Sequence, residues 1–487
     1  MLKQTESTIE NKRLICYSSY KERLRDMKDF TGSIVNNYNT DVVIVGGGPA
    51  GICAACAAAD QGSKVMLIEQ YGFVGGMATA GLVAPFMTCY DSGGGTKLIR
   101  GLFEELVNRM IKEGAALPPE EIGAPSSFTS YITNGHIHVT PFDAEALKRI
   151  AEQMLIERGV DLLYYTTYVS SLMSNDKIDE ILVHNKSGFA SIKAKVFIDC
   201  TGDADVAARS GAQFIMGNGN GKMQPTSLFF RIGNVDLSKI EKDIEEHKND
   251  FYRKDGVNYR SFHWHVSKAR EAGDWDLARV SIGLFRGVKE DEWSVNTSRI
   301  MDIDGTDAES LTRGSIQGRL QVDQIFRFLV KYVPGCENAR LLCSGSHLGI
   351  RETRHIVGLS TLTADDVLEG KIPEDSIMVA ANSIDIHGKF GPLSNQYVTL
   401  PEGKYYGVAF GTMVPKDFDN LLVAGRCISA ESDAAGAIRV MPPCMALGQA
   451  AGVAAALMTE QSIKAKDLSV SQLQAVLREQ NVYLEGV

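Results

Sequence analysis

Three glycines and one carboxylate near the start of the chain have the types and spacing needed to bind a dinucleotide. Gly46-x-Gly48-x-x-Gly51 follows the apolar run Val42–Val45, and Glu69 ends a second apolar run. Gly46 permits a tight turn, Gly48 lets the backbone approach a pyrophosphate, and Gly51 lets a helix with free N–H groups pack closely on the strand. A carboxylate after the second strand accepts hydrogen bonds from ribose hydroxyls, whereas a glycine turn without a ligand would need no such acid. The residues predicted to contact the dinucleotide are Gly46, Gly48, Pro49, Ala50, Gly51, Glu69 and Gln70.

Arg351 and Arg354 are the first candidates for binding a substrate. Two guanidiniums three residues apart can share one face of a helix or bind one anion together. Each planar guanidinium can donate two parallel hydrogen bonds to a carboxylate. An internal ion-pair network is the alternative, in which Glu352 and a more distant acid hold both arginines. We predict that the arginines bind a negatively charged or strongly polar substrate, and the network stays open as the other interpretation.

Asp385 and His387 are the candidates for proton transfer. Side chains two residues apart on a strand face the same side, so the carboxylate can orient the imidazole. An unperturbed histidine pKa of about 6.5 suits proton transfer near neutral pH. A single histidine is more often structural, but the pairing favours a catalytic role.

Three segments resemble the cofactor signatures of flavoproteins. They are Gly72–Thr79, the strand and turn over residues 196–205, and a turn at 420–426 combined with a helix that opens near Met441. From residue 38 to about residue 460 the chain is similar to FAD-dependent oxidoreductases of the glutathione-reductase-like fold, a family related to the heterodisulfide reductase and fumarate reductase flavoproteins. The resemblance implies FAD contacts from Gly76, Met77, Ala78, Thr79, Val169, Thr201, Gly202, Asp203, Gly425, Arg426, Pro443, Cys444 and Met445.

The helix that opens near Pro442 and Pro443 also has a physical basis of its own. Proline suits a helix start, and the amide hydrogens that follow are expected to lack partners. A helix N-terminus carries about half a positive charge, and in similar flavoproteins it faces the flavin N1 and C2 carbonyl, where negative charge collects on reduction. Because residues 75–79 contain no histidine that could attach a flavin, the FAD is predicted to be noncovalent.

The resemblance implies two further site residues. Arg439 holds a position at which fumarate-reductase-like proteins place an arginine for the substrate carboxylate, although the match is positional only. Either His387 or Tyr406 is predicted to move a proton while flavin N5 exchanges a hydride. The full set of predicted catalytic residues is His387, Asp385, Arg351, Arg354, Arg439 and Tyr406.

These residues require an α/β fold, with a discontinuous Rossmann-like FAD-binding domain, a small β-meander and an inserted α+β substrate domain. The meander is predicted over residues 166–200 and, by resemblance, lies beside the adenine near Tyr168 and Val169. The predicted divisions are a lead-in at 1–37, FAD-binding parts at 38–212 and 401–460, a substrate or cap domain at 213–400, and a helical tail at 461–487.

Apolar periodicity predicts the helices that frame these divisions. Asp143 is the expected N-cap of one of them. The predicted helices cover residues 97–113, 144–158, 236–248 and 308–332.

No pattern predicts a metal site. His263-x-His265 has strand spacing without a nearby cysteine and favours a solvated edge strand. The nine cysteines are scattered and odd in number, so a disulfide framework is not expected. Cys53-x-x-Cys56 lies in the first helix, where packing is favoured over redox chemistry. A reactive thiol at Cys89, Cys427 or Cys444 is left open, with packing favoured.

Charge and hydropathy limit the partners. Acidic residues outnumber basic ones by 60 to 50, which disfavours nucleic acid or an anionic membrane as a partner. The small and apolar run at 444–458 is shorter than the ~20 residues of a spanning helix, and the N-terminus lacks the apolar core of a signal peptide. These features favour a cytoplasmic protein.

We predict an FAD-dependent oxidoreductase that transfers a hydride between flavin N5 and a small polar substrate, either carboxylate-bearing or sugar-like. The alternative is a flavin electron-transfer subunit that works with an iron–sulfur partner protein. The chain has no four-cysteine cluster of its own, and its large insertion favours a substrate site. The substrate, the electron acceptor, the direction of reaction and self-association into a homo-oligomer are left open.

Overall fold

The computed structural model describes residues 32–122, 138–254, 257–387 and 395–487. The helices, in chain order, are α1 Pro49–Asp60, α2 Leu102–Lys112, α3 Ala144–Glu157, α4 Asp205–Arg209, α5 Leu237–Glu246, α6 His263–Glu271, α7 Ala308–Tyr332, α8 Ala364–Glu369, α9 Ser432–Ile438, α10 Met441–Gln461 and α11 Val470–Glu479.

The strands are named in the same way. They are β1 Ile34–Asn39, β2 Val42–Val45, β3 Val65–Ile68, β4 Asp161–Leu163, β5 Thr167–Ser174, β6 Lys177–Asn185, β7 Gly188–Lys193, β8 Val196–Asp199, β9 Phe214–Met216, β10 Phe230–Gly233, β11 Tyr252–Lys254, β12 Val257–Tyr259, β13 Leu284–Arg286, β14 Trp293–Val295, β15 Arg340–Ser344, β16 Arg354–Ile356, β17 Ser376–Ala380, β18 Ile384–His387, β19 Asn395–Val398, β20 Tyr406–Ala409 and β21 Leu421–Val423.

A five-stranded parallel sheet, in the order β21-β8-β2-β3-β4, forms the centre of the protein. Its inner strands are short and fully buried apolar runs, as expected when helices cover both faces of a parallel sheet. Because the strands are parallel, the turns after β2, β3, β8 and β21 meet at one edge of the sheet. The predicted α/β Rossmann-like fold is confirmed.

Helices α1 and α10 join the two sequence-distant parts of this unit. They pack so closely that a Cβ atom added to Gly448 would lie 2.0 Å from the carbonyl oxygen of Ala50, and one added to Gly452 would lie 2.2 Å from that of Ala54. Side chains larger than hydrogen would therefore force the helices apart. The small residues of both helices are what allow this contact.

A second sheet, in the order β1-β7-β6-β5, packs beside the parallel sheet. Strands β5, β6 and β7 form the predicted antiparallel meander. Strand β1 adds to it in parallel with β7, so residues 34–37 of the predicted lead-in belong to a sheet. The lead-in residues up to 31 lie outside the described residues.

A separate apolar core lies in the segment between the two FAD-binding parts. It extends from Leu228 to Ile350 and is built on the antiparallel sheet β13-β14-β10-β15, with α7 packed against it. The bounds of α7 match the predicted helix at 308–332. Residues 376–409 pack instead into the core of the parallel-sheet unit, and the predicted domain boundaries at 213 and 400 stay predictions.

The predicted edge strand around His263 and His265 is wrong, because these residues begin α6. Asp243 of α5 explains the difference. Its buried carboxylate accepts a hydrogen bond from Trp264 Nε1 and lies 3.0 Å from His265 Nε2, so the aromatic residues fold inward as a helix.

Helix α10 extends beyond the predicted apolar run at 444–458. In the part of the chain that the structure describes, it alone is long and apolar enough to cross a membrane by length and composition, and 94% of its most apolar window is buried inside the protein. Helix α11 forms part of the predicted helical tail and packs through Leu473 and Leu477.

Candidate active site

A cavity of about 370 Å³ opens at the edge of the parallel sheet where its strand ends meet. Its wall combines the turns after β2, β3, β8 and β21 with the first turns of α1 and α10. Residues before and within the first turn of α7 close it from the second unit, namely Gly305, Thr306, Ala308 and Leu311. Of the residues predicted to bind the cofactor, those on the wall are Gly46, Gly48, Pro49, Ala50, Glu69, Gln70, Gly76, Met77, Thr201, Gly202, Asp203, Gly425, Arg426 and Cys444.

Glu69 links the first two turns. One carboxylate oxygen accepts a hydrogen bond of 2.7 Å from the Gly47 N–H, and the other accepts one of 3.0 Å from the Tyr71 N–H. Burial raises the pKa of Glu69 above its ordinary value, and these backbone donors partly oppose the shift. The Glu69 carboxylate thus holds the backbone of the glycine turn in place. It also lines the cavity, where the sequence predicts an acceptor for the hydrogen bonds of ribose hydroxyls.

Glycine is required where the turns approach one another. A Cβ atom on Gly51 would lie 1.9 Å from the Gly46 carbonyl oxygen, and one on Gly76 would lie 2.8 Å from the Gly48 Cα. Gly51 therefore packs against the backbone of the glycine turn and does not line the cavity. Ala78 and Thr79 also lie behind the wall, because both are buried and the Thr79 hydroxyl donates to the Val74 carbonyl.

The turn after β8 is held by a fully buried carboxylate, that of Asp199. Its oxygens accept hydrogen bonds from the Thr201 N–H and hydroxyl and from the Ala207 N–H. Burial raises the pKa of Asp199 to about 6. These three bonds fix the backbone conformation of Thr201, Gly202 and Asp203 along the cavity wall. This role of Asp199 was not predicted from the sequence.

Asp203 anchors charged neighbours around the same turn. Its carboxylate lies 2.6 Å from Arg426 Nη2, and it also accepts from the Thr353 hydroxyl. Val169, predicted to meet the adenine, does not line the cavity, and its carbonyl accepts from Arg209 Nη1. The preceding residue, Tyr168, is on the wall.

The start of α10 differs in one respect from the prediction. Cys444 N–H donates to the Val440 carbonyl, so the amide that follows the two prolines does have a partner. Because prolines carry no N–H, Met441 supplies the first amide of this helix. Met441 and Cys444 line the cavity, whereas Pro443 and Met445 are buried behind them. The helix N-terminus thus acts on the cavity through its dipole more than through free donors.

The cavity fits a bound FAD. Its glycine turns leave no side chain where a pyrophosphate would lie, and no side chain caps the N-terminus of α1. Two buried donors on the wall, Nε of Arg426 and Nε of Arg439, have no acceptor among the described residues. Such donors need an acceptor that the cofactor or a substrate can supply.

Asp385 and His387 lie on β18 and face the same side, as predicted. His387 Nε2 is 3.1 Å from the Asp385 carboxylate. Arg439 joins them, since its Nη2 donates to the Asp385 carbonyl at 2.8 Å and lies 4.0 Å from the carboxylate. Because Arg439 is also on the cavity wall, it connects this cluster to the cofactor site.

Two arginines that sequence reasoning missed belong to the same cluster. Arg299 Nη2 lies 3.0 Å from His387 Nδ1, and the charge of Arg299 interacts with those of Arg279 and Arg351. Burial lowers the pKa of each of these guanidiniums. Repulsion lowers it further, from Arg279 and Arg351 at Arg299, from Arg439 and Arg279 at Arg351, and from Arg260 at Arg279. No spacing rule could reveal Arg279 and Arg299, because both stand in irregular segments that only the fold brings to β18.

The electrostatics of Asp385 and His387, the pair predicted to transfer a proton, differ from expectation. Burial, assisted by Arg351 and Arg299, lowers the pKa of His387 from about 6.5 to about 3, although Asp385 opposes the shift. Burial alone would raise the pKa of Asp385, but His387 and the arginines hold it well below its usual range. The pair is therefore a neutral imidazole beside an ionised carboxylate at neutral pH.

Arg351 and Arg354 do not clamp one anion. Arg351 donates to the Pro225 carbonyl and the Ser227 hydroxyl and interacts with the charge of Arg439. Arg354 begins β16 and turns the other way, where it pairs with Asp205 at 2.9 Å. Arg351 thus joins the cluster around Asp385 and His387, and Arg354 supports the turn beside the cofactor cavity.

Tyr406 and the three candidate thiols, Cys89, Cys427 and Cys444, are buried. Tyr406 on β20 is fully buried, and burial raises the pKa of its hydroxyl well above the ordinary value. Its hydroxyl has no hydrogen-bond partner among the described residues. Burial raises the pKa of the Cys89 and Cys444 thiols to about 12, so thiolate chemistry is disfavoured at neutral pH.

Comparison with known proteins agrees with this site. Residues 41–477 match the model of the FAD dependent oxidoreductase family. A digeranylgeranylglycerophospholipid reductase of Methanoculleus marisnigri is 26% identical over 260 residues, which are 51% of this chain and 56% of the reductase. A thiamine thiazole synthase of Methanococcus aeolicus is 44% identical over 55 residues, which are 11% of this chain and 21% of the synthase. The matched regions thus span about half the length of the reductase and about a fifth of the synthase.

Among solved structures, a geranylgeranyl bacteriochlorophyll reductase-like protein of Thermoplasma acidophilum is similar with a TM-score of 0.43 and 15% identity, covering 91% of this chain and 84% of that one. The family match runs from the strand before the first glycine turn almost to the end of α11. A match of that extent, over a cavity that fits the cofactor, means that the chain belongs to the FAD-dependent oxidoreductase family and that FAD is its cofactor.

Proposed function

We propose that the protein catalyses hydride transfer between flavin N5 and a small carboxylate-bearing substrate that binds against Arg439 and Arg351. One observation carries the proposal. Arg439 is at once part of the cofactor cavity wall and part of the cluster around Asp385 and His387. A substrate bound by Arg439 is thereby held next to the cofactor site.

The chemistry of the cluster favours a carboxylate over an uncharged sugar. Guanidinium groups bind carboxylates through two parallel, charge-assisted hydrogen bonds. Arg439 Nε is buried and has no acceptor among the described residues, so it has a donor to offer. A sugar hydroxyl would fill that donor but would add no negative charge beside Arg351 and Arg439, whereas a carboxylate would.

In this proposal His387 moves the proton. Its Nε2 faces Asp385 and its Nδ1 faces Arg299, so the ring exchanges a proton with a substrate only when the substrate displaces one of these partners. A bound anion would offset the neighbouring positive charges that lower the pKa of His387. The bound substrate would thus raise the pKa of His387 towards the range in which it can act as a base.

The test is anaerobic reduction of the purified holoenzyme. Hydroxy acids and amino acids are compared with their amides and with sugars, and the loss of oxidised-flavin absorbance is followed; enoates are offered to the reduced protein. We expect carboxylates of one class to react and their amides to fail. Arg439→Met should abolish the reaction while FAD stays bound, and the exposed Arg327→Met should not.

Equal reaction with an acid and its amide would contradict the role of Arg439. Flavin that a protein reductant bleaches, but no small molecule does, would favour an electron-transfer subunit with an iron–sulfur partner. A colourless protein that cannot be reconstituted with FAD would contradict the cofactor itself.

A further inference from the structure

We propose that His347 binds the pyrophosphate of FAD through its Nε2, with Tyr71 holding the imidazole ring in place. This contact involves the cofactor and does not depend on the identity of the substrate. Both side chains line the cavity, and neither is among the residues predicted to contact FAD. Leu348, the residue after His347, is buried in the apolar core of the second unit. The second unit would therefore supply a hydrogen-bond donor to the cofactor itself.

The ring of His347 is held at one of its two nitrogens. Its Nδ1 lies 3.0 Å from the Tyr71 hydroxyl, and the two rings meet edge to face with their centroids 6.2 Å apart. Tyr71 in turn is stacked on Phe73 at 5.7 Å. In the neutral tautomer with Nδ1 as acceptor, the Tyr71 hydroxyl donates and Nε2 carries the proton. A bound anion would select this tautomer, because it presents a donor on Nε2.

The backbone around His347 is fastened to the segment that follows β3. The His347 N–H donates to the Ala80 carbonyl at 3.1 Å, and the Ser346 hydroxyl donates to the same oxygen at 3.2 Å. A Cβ atom added to Gly345 would lie 3.1 Å from the Gly81 carbonyl oxygen, so the two backbones are in close contact. His347 is thus positioned by the protein alone, before any cofactor binds.

One chain of contacts leads from His347 to the predicted pyrophosphate site. Gly81, the residue after Ala80, donates its N–H to the Gly76 carbonyl at 3.2 Å. Gly76 approaches Gly48 so closely that a Cβ atom added to Gly76 would lie 2.8 Å from the Gly48 Cα. A glycine in the position of Gly48 lets the backbone approach a pyrophosphate. His347 therefore lies near the predicted position of the phosphates.

A second chain of contacts leads to the same place through Tyr71. The Tyr71 N–H donates to one carboxylate oxygen of Glu69, and the other oxygen accepts from the Gly47 N–H of the glycine turn. Backbone N–H groups at a helix N-terminus such as that of α1 bind phosphate oxygens. His347 would add a side-chain donor from a different part of the chain.

The Nε2 of His347 is available for such a bond. Among the described residues, no hydrogen bond reaches this nitrogen. The carboxylate of Asp203 interacts with the charge of the ring, but its hydrogen bonds come from Arg426 and Thr353. Burial lowers the pKa of His347 and the charge of Arg426 lowers it further, which favours a neutral ring at pH 7. A neutral ring still donates from Nε2, and a phosphate oxygen is a strong acceptor for that bond.

The test measures FAD affinity and the environment of the FAD phosphates in the full-length holoenzyme. Equilibrium dialysis gives the FAD dissociation constant, and phosphorus NMR reports on the two phosphorus atoms of the bound cofactor. We expect His347→Ala to weaken FAD binding by about tenfold to a hundredfold, the range for a hydrogen bond to a charged group. A pyrophosphate resonance should shift while the visible spectrum of the flavin stays the same. The exposed His184→Ala is the control and should change none of these.

Three further variants separate a bond to FAD from a purely structural role. The amide nitrogen of glutamine can occupy the place of Nε2, whereas that of asparagine reaches only the place of Nδ1. His347→Gln should therefore retain most of the FAD affinity, and His347→Asn should lose as much as His347→Ala. Tyr71→Phe should weaken binding less than His347→Ala, because the ring keeps its donor and loses only its orientation. Far-UV circular dichroism verifies folding in each case.

Contrary outcomes are equally clear. Unchanged FAD affinity in folded His347→Ala, or weaker affinity without any shift of the phosphorus resonances, would overturn the proposal. Retention of affinity by His347→Asn and its loss in His347→Gln would show that the pair only joins the two units. A changed flavin spectrum with unaltered phosphorus resonances would place His347 at the flavin ring and would also overturn the proposal.

Discussion

Arg299 Nη2 lies 3.0 Å from His387 Nδ1, while Nε2 of the same ring faces Asp385 at 3.1 Å. A guanidinium can only donate, so Nδ1 must be the unprotonated nitrogen and the proton must sit on Nε2, towards Asp385. Arg299 and Asp385 together thus select one tautomer of His387. The ring is held in place from both sides before any substrate arrives.

Replacing His387 by glutamine should leave FAD bound and slow the substrate-driven reduction of the flavin by about 10² to 10⁴, the range expected of a general acid or base. Rapid-mixing absorbance measurements under anaerobic conditions provide the rate. The exposed His184→Gln is the matched control. Unchanged kinetics in His387→Gln would remove this residue from the mechanism.

Arg299→Met should change the pH dependence of the same rate. Removal of a neighbouring positive charge raises the pKa of His387 from about 3, although burial still holds it below the ordinary value. A neutral ring is needed to accept a proton, so the variant should lose activity on acidification at a higher pH than the wild type does. Rates between about pH 4.5 and about pH 8 test this. Superimposable pH profiles of the variant and the wild type would show that Arg299 does not control the pKa of His387.

Gly448→Ala should destabilise the protein by about 3 kcal/mol or more and reduce its FAD content, because the new Cβ would lie 2.0 Å from the Ala50 carbonyl oxygen. Thermal unfolding followed by flavin fluorescence measures both effects. Gly62→Ala is the control, since nothing lies within 4 Å of its Cβ position and only its left-handed backbone costs about 1 kcal/mol. Equal effects would contradict the importance of the α1–α10 contact.

Asp199→Ala should lower stability by about 3 kcal/mol, because it leaves one buried donor at Ala207 and two partly buried donors at Thr201 without their acceptor. The turn that carries Gly202 and Asp203 along the cavity would also loosen, so FAD should dissociate more readily. Denaturant unfolding and an FAD dissociation constant test the two parts. The exposed Asp176→Ala should change neither the stability nor the FAD affinity. Retention of wild-type FAD affinity by Asp199→Ala would show that the turn keeps its conformation without the Asp199 carboxylate.

Local pattern was sufficient to predict the first glycine turn and the shared face of Asp385 and His387. The glycine turn at Gly46–Gly51 could be predicted because this spacing of glycines is typical of one backbone conformation. The shared face of Asp385 and His387 follows from the two-residue repeat of a strand. The N-cap at Asp143 is also a local property, and its carboxylate accepts from the Ala146 N–H as expected.

The rest depends on contacts between distant segments. Arg279 and Arg299 approach β18 from irregular loops, so no repeat in the sequence marks them. Arg354 is only three residues from Arg351, yet the chain enters a strand at Arg354 and the two side chains diverge. The neutral state of His387 likewise depends on burial and on arginines that are remote in sequence.

The contact between α1 and α10 also has a consequence for how the protein is made. Ala50 leaves the ribosome long before Gly448, by roughly 20 to 80 seconds at typical rates of synthesis. Until α10 emerges, the apolar face of α1 lacks its partner and the cavity lacks the wall that Met441 and Cys444 provide. Capture of the flavin is therefore one of the last events in the maturation of the nascent chain, and yellow colour reports a chain that has been translated at least through α10.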